Sequence, residues 1–208
     1  MDFKNVLVLA PHTDDGELGA GGFLNKLILS GAKVTYVAFS TAVESLPEGL
    51  PEDTLEIEVG EATKSLGIKS LIVFKYPVRN FNVHRQDILD DLIKIRKNEV
   101  YDLVLMPSRC DVHQDHQVIT NEAIRAFKNT TILGYELIWN SFEFKNDLYV
   151  SLDKLHVEAK IKALACYKSQ NHRDYMSADF VNSLAYIRGL QVSKKYCECF
   201  EVIRWVIN

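Results

Sequence analysis

Two short segments of the chain carry the residue types that bind divalent metal ions. Residues 11–16 read PHTDDG, and residues 111–116 read DVHQDH. Two imidazoles and one carboxylate, from His12, His116 and Asp15, would leave one coordination position open, as in catalytic rather than structural zinc sites. Nitrogen and oxygen ligands discriminate weakly among first-row ions, so Fe²⁺ or another divalent ion could replace Zn²⁺. We therefore predict a catalytic metal site with these three residues as ligands.

Three further residues of the same segments could complete a hydrolytic site. A bound ion lowers the pKa of a water ligand from about 15.7 to about 7. Asp14, next to a predicted ligand, could accept the proton of that water. His113 could stabilise an oxyanion or protonate a leaving amine, and Asp115 could hold the His113 ring in the required tautomer. The predicted catalytic residues are therefore Asp14, His113 and Asp115.

Each segment also has a plain structural explanation. Asp and Thr cap helices and Gly16 eases a turn, so either segment alone is equally well explained by turn and cap chemistry. The two together, each after a predicted strand, make that explanation much weaker. A dinucleotide site is disfavoured, because the glycines that follow the first segment lack the G-x-G-x-x-G spacing. Asp14 and Asp15 also stand where a pyrophosphate would need neutral backbone donors.

Short apolar runs alternate with amphipathic segments along the chain, which predicts alternating strands and helices. We expect strands at residues 5–10, 34–39, 71–74, 103–106, 132–138, 148–152 and 200–206. We expect helices at residues 17–30, 55–66, 85–97, 115–127, 153–168 and 178–190. This alternation is typical of a single-domain α/β fold with a mostly parallel, doubly wound sheet and helices on both faces. No repeat or linker interrupts it, so residues 1–208 are expected to form one domain.

The common strand order 3-2-1-4-5 would bring the two segments together. In such sheets, ligands bind beyond the carboxyl ends of the strands, where the strand order reverses. With this order, that point lies between the first strand, which residues 11–16 follow, and the fourth, which residues 107–115 follow. The fold would therefore assemble the predicted metal ligands from two distant parts of the chain.

Charge and composition disfavour several other classes of function. The 208-residue chain has a net charge of −4, so no sequence-wide positive field attracts nucleic acid or an anionic membrane. The apolar run at residues 6–10 is too short to span a bilayer and lacks the features of a signal peptide. The four cysteines show neither CxxC pairs nor a disulfide pattern. We therefore expect a cytoplasmic protein that binds a small molecule.

The two segments together resemble the two sequence motifs of the PIG-L/LmbE-like deacetylases. Residues 12–22 are similar to the first motif, H-x-D-D-x-E followed by I/L-G-x-G-G, and residues 111–116 are similar to the second, D-x-H-x-D-H. The resemblance implies a Rossmann-like fold and a zinc ion. It also implies hydrolysis of an N-acetyl group on a glucosamine-type sugar or sugar conjugate, with release of acetate. The ligands and catalytic residues that it implies are those that the chemistry above predicts.

Substrate contacts are where this sequence departs from the family pattern. Many relatives carry an arginine at the start of the second helix, whereas the matching position here is Leu55. Arg79 and Arg85 could supply cationic contacts instead, for example to a phosphate in a nucleotide sugar or surface-polysaccharide precursor. Trp139 could stack on a sugar face. These three residues are the predicted substrate contacts.

Two alternative functions stay open at the level of the sequence. A metal-dependent phosphoesterase could use the same ligands, although two-metal phosphoesterases generally need more carboxylates than these segments offer. A non-catalytic sugar- or nucleotide-binding protein of the same fold could retain the site without turnover, but the presence of all six predicted site residues disfavours it. Relatives often assemble, so a homo-oligomer is also open.

Overall fold

Seven strands form one sheet in the computed structural model, which describes residues 3–207. The strands are β1 (Asn5–His12), β2 (Lys33–Ser40), β3 (Ser70–Val73), β4 (Leu103–Pro107), β5 (Thr131–Tyr135), β6 (Leu148–Leu152) and β7 (Tyr196–Arg204). The helices are α1 (Asp15–Leu29), α2 (Thr54–Leu66), α3 (Arg85–Asn98), α4 (Gln114–Ala126), α5 (Lys154–Leu164) and α6 (Ala178–Leu190). None of the described helices has both the length and the apolar character needed to cross a membrane.

The strand order is β3-β2-β1-β4-β5-β7-β6. Strands β1 to β5 pair in parallel, and β7 runs antiparallel between β5 and β6. The predicted α/β class and the order 3-2-1-4-5 are therefore confirmed. Because β1 and β4 are neighbours, the loops that follow them meet at one edge of the sheet, where the strand order reverses.

Alternate residues of each central strand bury into two separate cores. In β1, Val6 and Val8 pack into the core beneath α1, α2, α5 and α6, whereas Leu7 and Leu9 pack into the core beneath α3 and α4. All four side chains are fully buried. Burial of one such side chain contributes about 2 kcal/mol. This stabilisation on both faces makes β1 a rigid support for the loop that follows it.

Two elements end earlier than the apolar pattern predicts. Strand β5 ends at Tyr135, and Ile138 lies in a short 3₁₀ turn with much of its side chain exposed. Helix α5 ends at Leu164, and beyond its end the backbone N–H and hydroxyl of Ser169 bond to the Glu58 carboxylate at 2.9 and 2.6 Å. That contact ties the segment after α5 to α2, on the same side of the sheet as the predicted site.

Candidate active site

The ends of β1 and β4 bring the predicted metal ligands together. His12 is the last residue of β1, and Asp15 is the first residue of α1. His113 caps the N-terminus of α4, and His116 lies in its first turn. Because a residue at a strand end or in a first helical turn has little backbone freedom, the side-chain positions are set by the two strands and two helices around them.

Three side-chain atoms form a nearly equilateral triangle. Nδ1 of His12 lies 3.2 Å from Oδ2 of Asp15 and 3.2 Å from Nε2 of His116. Nε2 of His116 lies 3.3 Å from the same Asp15 oxygen. Ligands about 2.0–2.2 Å from one tetrahedral zinc ion are about 3.3–3.6 Å apart. The donor types and their spacing therefore fit a single bound ion.

The histidines alone offer a second candidate ligand set. One ring nitrogen from each of His12, His113 and His116 lies within 4.8 Å of the others, which is also compatible with a metal ion. The His113 ring, however, accepts a hydrogen bond at Nδ1 from the backbone N–H of Asp115 at 3.2 Å. That bond occupies Nδ1 and leaves the proton of a neutral His113 ring on Nε2.

Asp111 orients His116, a role that the sequence analysis did not assign. Its Oδ2 lies 2.7 Å from Nδ1 of His116, and its Oδ1 accepts the backbone N–H of His113 at 2.8 Å. Both side chains of the Asp111–His116 pair are buried. A carboxylate on the far nitrogen of a histidine fixes the tautomer that presents the near nitrogen to a metal. Asp111 occupies the first position of the D-x-H-x-D-H pattern, and that position is the sequence feature that could have indicated this role.

Asp115 contacts a different histidine from the one expected. Its carboxylate Oδ2 lies 3.1 Å from Nε2 of His12 and accepts the backbone N–H of Arg79 at 2.7 Å. Only its backbone N–H reaches His113. The reason is helical geometry: His113 caps α4, so the first-turn side chain of Asp115 points across to β1. Asp115 therefore supports His113 through its main chain and His12 through its carboxylate.

The electrostatics of the cluster favour positive charge at its centre. Burial disfavours the protonated ring of His116, but the carboxylates of Asp15 and Asp111 outweigh it and raise the His116 pKa to about 10. Burial likewise opposes ionisation of Asp15, but His116 and His12 hold its pKa well below the ordinary range. Burial and the neighbouring Asp15 charge raise the pKa of Asp14 to about 6. A cation between these groups would meet a strongly favourable potential.

Two buried tyrosines hold the loop between β1 and α1 from below. The hydroxyls of Tyr36 and Tyr167 lie 2.9 and 2.6 Å from the carbonyl oxygen of Thr13, and both also contact the carboxyl group of Glu17. Burial raises the pKa of Glu17 to about 8. Because these groups are fully buried, the loop that carries Asp14 has a fixed path.

An open cleft of about 320 Å³ lies above this cluster. Its lining includes the predicted residues Asp14, His113, Arg79 and Trp139. It also includes Leu55, the position that matches the arginine of many relatives, and four residues that are not among the three predicted substrate contacts: Val78, Gln170, Arg173 and Tyr175. Arg85 does not line it. The first turn of α3 directs the Arg85 side chain to Glu122 on α4, so the predicted substrate contact is a structural ion pair instead.

Comparison with known proteins identifies the family. Residues 7–127 match the PIG-L family, described as GlcNAc-PI de-N-acetylase, and this match covers more than half of the chain. The chain belongs to the PIG-L family. The matched region contains β1 to β4 and both predicted metal-ligand segments, so the family resemblance is confirmed.

Two further proteins are similar to more of this chain than the family match covers. An uncharacterised deacetylase, YaiS of Escherichia coli, is 27% identical over 172 residues, which is 80% of this chain and 91% of YaiS. The structure of N,N'-diacetylchitobiose deacetylase from Pyrococcus horikoshii is similar with a TM-score of 0.82 and 24% identity, covering 97% of this chain and 84% of that chain.

A protein with a different named reaction shares the same fold. GalB, the 4-carboxy-2-hydroxymuconate hydratase from Pseudomonas putida, is similar with a TM-score of 0.83 and 19% identity, covering 99% of this chain and 98% of that chain. Shape alone therefore does not decide the reaction. The reaction must therefore be inferred from the residues that line the cleft.

Proposed function

We propose that this PIG-L family protein is a zinc-dependent N-deacetylase that releases acetate from an N-acetyl amino sugar or sugar conjugate. The observation that carries the proposal is the triangle of His12, Asp15 and His116 atoms at the floor of an open cleft, with Asp14 beside it. Family membership supports the reaction, because the family description names a de-N-acetylase.

His12, Asp15 and His116 would hold the ion. Two imidazole nitrogens and one carboxylate oxygen suit zinc and leave a position free for water or substrate. When bound, the ion would polarise the acetyl carbonyl and lower the pKa of water. Asp111 behind His116, and Asp115 behind His12, would keep both rings in the tautomer that the ligand set needs.

Asp14 would act as the general base and then as the general acid. It takes one proton from the attacking water, and the water oxygen bonds to the acetyl carbonyl carbon. As the carbon–nitrogen bond breaks, the same proton passes from the Asp14 carboxyl group to the nitrogen of the sugar. The acetic acid that forms loses its remaining proton to solvent or to the amine, so acetate and the amine are released and one water molecule is consumed for each amide bond.

His113 would stabilise the oxyanion that forms on the carbonyl oxygen. The hydrogen bond from the Asp115 backbone to Nδ1 of His113 leaves an N–H donor on Nε2 of a ring that lines the cleft. Burial, with His116 and His12 close by, lowers the pKa of His113 and keeps the ring neutral. A fixed neutral donor of this kind is typical of oxyanion stabilisation.

Product analysis tests this proposal. Zinc-loaded wild type is incubated with a panel of N-acetylated and phosphorylated sugars, and acetate, free amine and inorganic phosphate are measured. We expect acetate and amine in equal amounts from at least one N-acetyl compound. Asp14→Asn should retain zinc but lose at least about 10²-fold in rate. Asp87→Asn, which changes an exposed carboxylate on α3, is the matched control.

Any of three results would contradict the proposal. Release of inorganic phosphate without acetate would support the phosphoesterase alternative instead. Near-normal acetate release by Asp14→Asn would show that Asp14 is not the base. A zinc-loaded wild type that binds the panel without converting any member would favour a non-catalytic binding protein.

A further inference from the structure

Two arginines of the cleft lack carboxylate partners among residues 3–207. Arg79 and Arg173 both line the cleft, and their side-chain hydrogen bonds go only to neutral hydroxyl groups, those of Ser45 and Tyr175. Other arginines form ion pairs with buried glutamates: Arg85, Arg109, Arg125 and Arg188. Arg96 and Arg204 donate to backbone carbonyl oxygens at the end of α4. Among the described arginines, Arg79 and Arg173 are thus the two that line the cleft without a carboxylate partner.

The backbone of Arg79 is held in a conformation that costs energy. Its φ of 66° lies in the left-handed region, which is sterically unfavourable for a non-glycine residue. Its N–H donates to Oδ2 of Asp115 at 2.7 Å, and its carbonyl oxygen accepts the side-chain amide of Gln114 at 2.8 Å. Both bonds tie Arg79 to the start of α4. The turn therefore fixes the backbone of Arg79 next to the metal-ligand segment, and the exposed side chain extends from that point.

Arg173 is held on the opposite wall by aromatic rings. Its guanidinium lies 5.7 Å from the centre of the Tyr175 ring and donates to the Tyr175 hydroxyl. Tyr175 stacks on Trp139 with ring centres 4.0 Å apart and an angle of 13° between the planes. Arg173 and Asp14, the proposed base, line the same cleft.

One donor of Arg173 is buried and unused. Its Nε has no hydrogen-bond partner among the described residues. An unpaired buried donor is unfavourable, and more so when the group is charged. Nearby Tyr175 and Trp139 hold the side chain in place, so it cannot turn to solvent freely. A ligand atom that accepts a hydrogen bond would remove this cost.

We propose that Arg79 and Arg173 form a subsite for an anionic group, so that the substrate is an N-acetyl amino sugar that also carries a phosphate or carboxylate. The inference rests on the proposed deacetylase function and adds the substrate class. Guanidinium groups match the planar pairs of oxygens on both anions. The carboxylates that line the cleft are those of Asp14 and Asp15 at the proposed metal site, whereas Leu55 and Val78 contribute apolar side chains.

Binding of reaction products tests the subsite without requiring turnover. Calorimetric titrations of zinc-loaded wild type would compare glucosamine, glucosamine 1-phosphate and muramic acid, which carry no anion, a phosphate and a carboxylate. We expect at least one anionic amine to bind about tenfold or more tightly than glucosamine. Whichever of glucosamine 1-phosphate and muramic acid binds more tightly shows whether the subsite prefers a phosphate or a carboxylate. Arg79→Gln and Arg173→Gln should each remove most of that preference and leave glucosamine binding nearly unchanged.

Arg85→Gln is the matched control, because it removes the same charge from a side chain outside the cleft. It should keep the full preference for the anionic amine. Equal binding of all three amines by wild type would overturn the inference. So would a preference that survives in both Arg79→Gln and Arg173→Gln. These titrations measure binding alone. The proposed deacetylase function would fail in a different experiment, the product analysis, through the absence of acetate release.

Discussion

The carboxylate of Asp111 lies 2.7 Å from Nδ1 of His116, and both side chains are buried. This contact fixes Nε2 of His116 at the triangle that it forms with His12 and Asp15. It also joins the loop after β4 to the first turn of α4, since Asp111 accepts the backbone N–H of His113. The geometry of the proposed metal site therefore depends on a residue that does not itself face the ion.

Substitution of Asp111 should weaken metal binding without unfolding the protein. We expect Asp111→Asn to lower zinc affinity about 10–100-fold, because the amide supports His116 without a negative charge. Competition with a chromophoric chelator measures the dissociation constant, with Asp87→Asn as the control for loss of an exposed carboxylate. Unchanged affinity in Asp111→Asn would show that the contact does not orient a ligand.

The two candidate ligand sets predict different effects at Asp15 and His113. If Asp15 is the third ligand, Asp15→Ala loses zinc, whereas His113→Asn keeps it and slows turnover about 10²–10³-fold. Asparagine is chosen because it still accepts the N-terminal hydrogen bond of α4 that His113 accepts now. Zinc content and kcat of both variants check this. Loss of zinc in His113→Asn with retention in Asp15→Ala would favour the three-histidine set.

Glu201 should contribute to the free energy of unfolding at neutral pH, and this contribution should disappear in acid. It is buried, but hydrogen bonds from Arg109 and Ser108 outweigh the cost of burial and lower its pKa below the ordinary value of a glutamate. A lowered native pKa stabilises the fold above the unfolded pKa of about 4.3, and this stability is lost as pH falls through the native pKa. The pH range in which this stability is lost therefore begins near pH 5 and extends to lower pH.

The variant Glu201→Gln tests this dependence. At about pH 7, we expect metal-free Glu201→Gln to be less stable than metal-free wild type by about 1–2 kcal/mol. Urea unfolding at a series of pH values should show the difference narrowing below about pH 5. A difference that stays constant or widens in acid would contradict the assignment. Metal-free protein is used so that zinc release does not contribute to the pH dependence.

Two helical glycines should respond oppositely to alanine. A Cβ on Gly19 would lie 2.2 Å from the ring of buried Tyr135, whereas a Cβ on Gly60 would meet nothing within 4 Å. Gly19→Ala should therefore destabilise the fold by about 1–3 kcal/mol. Gly60→Ala should stabilise it by up to about 1 kcal/mol, because alanine favours a helix. Thermal unfolding of both variants measures the signs, and stabilisation by Gly19→Ala would mean that α1 packs less closely on the sheet.

Much of the architecture could be predicted from local patterns. Apolar runs and amphipathic segments give the order of strands and helices, and the common parallel order then brings the loops after β1 and β4 together. Strand β7 could not be placed in the same way. Its antiparallel position between β5 and β6 depends on pairing between distant segments, and no periodicity in the sequence encodes that choice.

Side-chain partners across elements account for the errors at the site. The sequence predicts that Asp115 belongs to the site but not that its carboxylate reaches His12, because that depends on how α4 packs against β1. Arg85 binds Glu122 one helix away, which spacing alone does not reveal. The polar segment at residues 169–173 could line the mouth of a pocket, but a plain loop between two helices explains the same sequence equally well. The structure places Arg173 of this segment, and Tyr175 just after it, in the cleft lining.

Metal content together with acetate release tests the central claim most directly. Wild type and His116→Ala would be dialysed against a weak chelator, supplied with zinc, freed of excess metal and assayed on the N-acetyl sugar panel. We predict about one zinc ion per wild-type chain and almost none in folded His116→Ala, with acetate release only where zinc is retained. Folded wild type without a bound ion, or acetate release by zinc-free His116→Ala, would contradict the account.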